Sequence, residues 1–371
     1  MIAKQGGFMS AQRAIGPDIL RGFAILLVCT AHMPYDRMPE AFWTWIGYYG
    51  WYGVDIFFVL SGYLIGTELL RPVHGGQAPN LAVFYTKRVL RILPVFWLVL
   101  AVYALVPAWR EAPTMAPWWR FATFTVNFGL DIRTMRSFSH AWSLCVEEHF
   151  YLVLPVLILA LHRLKVKWLP VVLVAAIVIG GMVLRHGLQQ GSASPADFMM
   201  RVYYPSWCRL DGLTAGVCLA ALRLFHGDLW ARWARPVWLL PVSAVLIVAA
   251  VAMTVQTHQV LSAVGSVVVY PLFSLGVMLL LAALIELEPH LQAARWTGIG
   301  FIAGISYSLY LCQKLVYAAD VRWLPQAWTQ GWGAVLVFYV SAIAVATLLW
   351  WLVERPFLML RKRVLPLVSK A

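Results

Sequence analysis

The sequence predicts an all-α integral membrane protein, and three observations carry that prediction. Of its 371 residues, 61% are hydrophobic and only 12% are charged, whereas a soluble domain is about half apolar and a quarter charged. The apolar residues fall in long continuous blocks, with a mean hydropathy of +0.74, which is the pattern of helices that cross a bilayer. The chain also holds 19 Trp and 15 Tyr, whose amphipathic rings suit the boundary between membrane and water.

The blocks give about ten spans, near residues 17–34, 47–70, 88–106, 140–163, 168–184, 205–225, 236–255, 262–285, 298–319 and 332–353. Each is long enough, at about 1.5 Å per residue, to cross most of a ~30 Å hydrocarbon core. The stretch 118–130 (WWRFATFTVNFGL) is apolar but too short to span, and is expected to be interfacial or re-entrant. Neither an internal repeat nor a low-complexity linker divides the chain. The reading is therefore a cytoplasmic segment 1–16, one membrane domain 17–355 and a basic tail 356–371.

Orientation follows from the basic residues. The N-terminus, the even-numbered loops and the C-terminus carry eighteen Lys and Arg, against eight in the odd-numbered loops. The richer set belongs on the cytoplasmic side, so both termini are expected inside. The net charge of +13 is thereby explained by topology, and no nucleic-acid partner is expected. The five Cys, at 29, 145, 208, 218 and 312, show no CxxC spacing. They suggest small core residues rather than disulfides or a zinc site, and no metal is expected. A cleavable signal peptide is not indicated, because the first apolar block carries Arg21 and runs into His32 without a small-residue cleavage site.

Ionisable residues inside spans cost a few kcal/mol each and usually serve a cavity. This chain has many: Arg21, His32, Asp55, Glu147, Glu148, His149, Arg209, Asp211 and Lys314. With the N-terminus inside, Arg21 lies in the inner part of the first span and His32 near its outer end, roughly 16 Å away. Asp55, the Glu147–Glu148 pair, Arg209 with Asp211, and Lys314 fall at a depth similar to that of His32. Lys87, Arg88 and Arg91 lie at the inner face with Arg21. The pattern suggests a basic cytoplasmic mouth, suited to a phosphate-bearing ligand. It also suggests an outer cluster of carboxylates and a histidine able to act as a general base.

Seven segments resemble one family. DILRGFAILLVCTAHM (18–33) holds Arg21 and His32 with ten residues between them, and GVDIFFVLSGYLIG (53–66) forms a second, specific motif. FYTKRVLRILPVFW (84–97), AWSLCVEEHFYLVLP (141–155), RLDGLTAGV (209–217), ISYSLYLCQK (305–314) and VERPFLMLRKR (353–363) follow. Together they resemble the acyltransferase-3 family of membrane-bound O-acyltransferases from residue 18 to 363. His149 stands where that family usually has Gln, and Cys312–Gln313 where it often has Trp-His. The second departure leaves the ninth span without an expected catalytic role. Many members carry an added extracytoplasmic domain, which is not expected here.

The resemblance implies a bacterial inner-membrane enzyme that moves an acyl group, acetyl above all, from cytoplasmic acyl-coenzyme A to a carbohydrate hydroxyl. The carbohydrate would be a polysaccharide or a lipid-linked oligosaccharide. Arg21, Lys87, Arg88 and Arg91 would hold the coenzyme's phosphates, and His32 would serve as general base, oriented by Glu147. Glu148 joins His32 and Glu147 in the expected catalytic set, although neighbours on a helix differ by about 100°, so the two carboxylates are not expected to point at one spot. Arg209 and Asp211 would hold sugar hydroxyls or each other, Trp142 would stack on a sugar ring, and Asp55 would bind substrate or brace the second helix. A small-molecule acceptor such as a macrolide is the nearest alternative, and transport of a lipid-linked sugar the next. Transporters often show inverted repeats, and none is visible.

Overall fold

A computed structural model describes residues 14–255, 262–292 and 298–369. Most of the expected N-terminal segment 1–16, the loops around 256–261 and 293–297, and the last two residues of the tail lie outside them. The described residues are helical, and their only β pairing is an isolated bridge between Met115 and Ser137.

Ten helices correspond to the ten blocks. They are α1 (Ile15–His32), α2 (Tyr52–His74), α3 (Leu81–Leu105), α4 (Trp142–Leu164) and α5 (Leu169–Gln190). They continue with α6 (Asp211–Phe225), α7 (Pro236–Val255), α8 (Ala263–Glu286), α9 (Ile299–Trp323) and α10 (Gly331–Leu349). Local chemistry sets several ends. The Asn80 side chain accepts from the Val83 amide and starts α3, and Ser262 does the same for α8 through the Gly265 amide. Lys165 adopts the left-handed region and stops α4.

Among the described residues, nine helices are long and apolar enough to cross a membrane, and the expected sixth span is not one of them. Helix α6 has 15 residues, or about 22 Å of rise, less than the ~30 Å core. Short helical pieces at Pro195–Phe198, Met199–Tyr203 and Ser206–Cys208 precede it. Such irregular backbone is tolerated at membrane depth where protein covers it, and here Val202, Tyr203, Tyr204 and Cys208 are buried. Segment 118–130 behaves as expected for a non-spanning piece. It forms one short helix (Trp118–Ala122), buries Phe121, Val126 and Leu130, and ties Asn127 to Ser206 by a 2.9 Å bond.

The bundle is organised around α2, which packs against α1, α4, α6 and α8, while α9 packs against α1 and α10. Gly53, Gly62 and Gly66 sit at close helix contacts, as their spacing suggests: a Cβ on Gly62 would stand 2.0 Å from the Leu213 carbonyl oxygen. Helices α5 and α10 instead turn most of their apolar side chains outward, among them Val171, Val183, Leu336 and Val340. In water this would be a large apolar patch; against lipid it is solvated. After α10, one π-helical turn (Trp350–Glu354) leads without a break into α11 (Arg355–Val368). The expected basic tail is therefore an amphipathic helix, with Arg361, Lys362 and Arg363 on one stretch and Phe357, Leu360 and Leu367 exposed.

Candidate active site

A cavity of about 540 Å³ opens where α1, α2, α3 and α11 meet. Lys87, Arg88 and Arg91 from α3 line it, with Arg21 from α1 and Arg361 and Lys362 from α11. The four predicted phosphate-binding residues are therefore brought together. Two of them share an acid: Glu68 accepts from Lys87 Nζ at 2.7 Å and from Arg88 Nη2 at 2.6 Å. Arg21 pairs with Asp18 at 3.0 Å.

Both carboxylates of the fourth helix line this same cavity, at different places on its wall. Their surroundings differ. Glu147 is closed into a triangle, accepting from Ser61 Oγ and from the Tyr151 hydroxyl, each at 2.9 Å, while that hydroxyl lies 3.0 Å from Ser61. Glu148 also borders a second space of about 260 Å³ between α3 and α4, shared with Arg88 and Tyr151. The head of the large cavity is formed by Ser143 and Tyr310, whose hydroxyls are 2.6 Å apart.

His32 lies beyond that head, and contacts lead to it. The Tyr310 hydroxyl donates to the backbone carbonyl of His140 at 2.5 Å. The His140 ring is 5.4 Å from the Tyr310 ring and 5.4 Å from that of His32. Gln313 Nε2 lies 3.0 Å from His32 Nδ1 and 3.2 Å from the Tyr310 carbonyl oxygen. Close by, Lys314 pairs with Glu111 at 2.9 Å and reaches Ser139 at 3.3 Å. Glu111 is in the loop ahead of α4 and also accepts from the Phe138 amide at 3.0 Å. Burial pushes its carboxyl up, but Lys314 and the amide bonds outweigh this and hold it below the usual range.

The expected His32–Glu147 pairing is thus corrected. Glu147 spends its hydrogen bonds on Ser61 and Tyr151 inside the cavity, whereas the group holding the imidazole is Gln313 of α9. The ninth span, left without a role on sequence grounds, supplies that contact. Two further expectations are corrected by burial. Arg209 and Asp211 do not hold each other: Arg209 binds Asp55 at 2.8 Å, and Arg185 binds Asp211 at 2.6 Å. All four are buried, and none lines the cavities, so they brace α2, α5 and α6. Of the two roles open to Asp55, the geometry gives bracing. Trp142 is 5% exposed and packs with Phe58, Tyr203 and Tyr204 around the Arg209 guanidinium, so it has no free face for a sugar.

Sequence reasoning missed Gln313, His140, Glu111, Arg185, Arg361 and Lys362. One signal was available: Lys314 inside a span demands a partner, and Glu111 in a loop is that partner.

Fold and site together define a polytopic helical membrane protein with a cation-lined cavity, beyond whose Ser143–Tyr310 wall stand the buried His140 and the half-buried His32. The chain belongs to the acyltransferase-3 family, whose profile, described as an acyltransferase domain, matches residues 15–351. Among curated proteins it is similar to YrhL of Bacillus subtilis, whose name gives it only provisionally as a peptidoglycan O-acetyltransferase. The two are 30% identical over 55% of this chain and 32% of that protein. It is also similar to the O-acetyltransferase OatA of Staphylococcus aureus, at 29% identity over 55% of this chain and 34% of the relative. The peptidoglycan O-acetyltransferase OatA of Listeria monocytogenes is 28% identical over 56% and 34%. The match thus spans about a third of the length of these relatives. No solved structure matches the chain significantly.

Proposed function

We propose that the protein is a membrane O-acyltransferase that takes an acyl group, acetyl above all, from acyl-coenzyme A and delivers it to a carbohydrate hydroxyl. The observation that carries this reading is the cation-lined cavity whose far wall connects through Tyr310 and His140 to His32. Its ~540 Å³ falls in the ordinary range for small-molecule sites. The relatives' names support acetyl as the group and a peptidoglycan-like sugar as the acceptor.

In the proposed reaction the donor enters from the basic, cytoplasmic side. Arg21, Lys87, Arg88 and Arg91 hold its phosphates by charge-assisted bonds, and the pantetheine arm runs toward Ser143 and Tyr310. The acceptor hydroxyl approaches from the outer side. His32 takes its proton as the oxygen attacks the thioester carbonyl. The C–S bond then breaks, the acyl ester forms, and the thiolate recovers the proton from the imidazolium. Glu147 and Glu148 act on the donor side of the layer formed by Tyr310 and His140, where they shape the cavity and keep its head polar.

The test is removal of the gene from its host, with proton NMR of ester-linked acetyl on surface and secreted glycans. Complementation with wild type restores the acetyl signals, and His32→Ala at equal protein level does not. Full restoration by the variant would remove His32 from the chemistry. Unchanged glycans after deletion would remove the carbohydrate acceptor.

A further inference from the structure

The cavity carries more positive charge than the predicted mouth accounts for. Arg361 and Lys362 line it; they stand on α11, inside the segment 353–363 that resembles the family but past the residues 15–351 that its profile matches. Helix α11 packs on α3, which carries Lys87, Arg88 and Arg91, and Arg361 stands within electrostatic reach of Arg88 and Glu68. Among the described residues, Arg91, Arg361 and Lys362 make no salt bridge, while Lys87 and Arg88 share the single carboxylate of Glu68. Six cations line this space against the four carboxylates of Asp18, Glu68, Glu147 and Glu148; the excess is positive, and the cheapest relief is an anion with several charges placed among them.

We infer that α11 is the second wall of the donor site, and that Arg361 and Lys362 bind the phosphates of the coenzyme. This rests on the acyl-coenzyme A reading above. It assigns the tail helix a binding role as well as its place at the membrane surface, where a basic helix with exposed Phe357, Leu360 and Leu367 would lie in any case. Glu68 then acts as a built-in counter-ion: its carboxylate occupies Lys87 and Arg88 in this arrangement, and a phosphate entering the mouth competes with it for both. The contacts are far from the reacting carbonyl. They hold ground state and transition state alike, and so act on donor affinity rather than on turnover.

The test is calorimetric binding of coenzyme A to the full chain in nanodiscs of phosphatidylcholine, with acetyl-coenzyme A kinetics on the same samples. Arg361→Ala with Lys362→Ala is expected to weaken coenzyme A by tenfold or more, and to raise KM by a similar factor at near-constant kcat. The charge-conserving pair Arg361→Lys with Lys362→Arg keeps most of the affinity. Arg363→Ala, an exposed neighbour outside the cavity, leaves it unchanged. Equal affinity in wild type and the double alanine variant would overturn the assignment and return these cations to topology or lipid headgroups. Equal losses in the double alanine variant and in Arg363→Ala would overturn it too, as a general charge effect. Wild type that binds no coenzyme A would instead sink the donor reading itself, and the role of α11 with it.

Discussion

At the scale of single residues, the contact between Gln313 and His32 decides which ring nitrogen can work. In the observed arrangement the amide nitrogen faces two acceptors, His32 Nδ1 and the Tyr310 carbonyl oxygen. With the amide turned this way the ring hydrogen would belong on Nε2. The amide oxygen of Gln313 is buried without a hydrogen-bond partner. For His32 to accept a proton at Nε2, this amide has to turn and offer its oxygen to Nδ1–H, the role a carboxylate plays in a triad. Gln313→Glu supplies a permanent acceptor and is expected to keep activity while shifting the pH–rate profile. Gln313→Leu supplies none and is expected to lower kcat by about 10²-fold or more, the usual worth of general acid–base help. Matching pH profiles for wild type and Gln313→Glu would show that the amide does not set the tautomer. Glu111 gives a second handle. Its lowered pKa means that its stabilisation is complete above the usual carboxylate range and is lost as the pH falls. Glu111→Gln should therefore flatten the acid side of a thermal-stability curve.

Helices are where the sequence spoke most clearly. Continuous apolar blocks located the spans because bilayer thickness fixes their length, and ten helices stand where ten blocks were read. The one shortfall is α6, where Arg209 falls between a 3₁₀ turn and a short helix that begins at Asp211. Hydropathy cannot show that break, because block 205–225 reads as one apolar stretch whether its first residues form a 3₁₀ turn or a helix. The α2–α6 contact is the tightest part of the bundle. A Cβ at Gly62 or Gly216 would stand 2.0 or 2.2 Å from a carbonyl oxygen of the other helix, and backbone cannot give way as a side chain can. Gly62→Ala is expected to cost about 1–3 kcal/mol or more, visible as a lowered melting temperature in detergent. Gly180→Ala, with open space around it, should leave the melting temperature unchanged. A wild-type melting curve for Gly62→Ala would refute the close packing of these two helices.

Across the whole molecule, the sequence grouped charges by depth but could not pair them. Depth follows from position in a span, whereas partnership depends on which helices are neighbours. Thus Lys87, Arg88, Arg91 and Arg21 do share a mouth, while Glu147 and His32, close in predicted depth, lie on opposite sides of the layer made by Tyr310 and His140. Arg185, one residue past the predicted fifth span, is fully buried against Asp211. Orientation rests on the basic residues alone. A single cysteine placed at Ser369, in a chain freed of its native cysteines, is expected to react with a membrane-impermeant maleimide only after the cytoplasmic face is opened. One placed at Trp109, in the loop after α3, should react in intact cells. The reverse pattern would invert the proposed topology and put the basic mouth outside.

The pairing of buried charges also imposes an order on how the protein is made. Arg185 and Asp211 are 26 residues apart, so they leave the ribosome almost together and can enter the bilayer already neutralised. Asp55 and Arg209 are separated by 154 residues, an interval of roughly 8–30 s at a synthesis rate of about 5–20 residues per second. Throughout that time α2 is complete but its counter-charge does not yet exist. The nascent chain therefore has to keep α2 in a wet or protein-lined setting, beside the insertion machinery, until α6 arrives to close the ion pair.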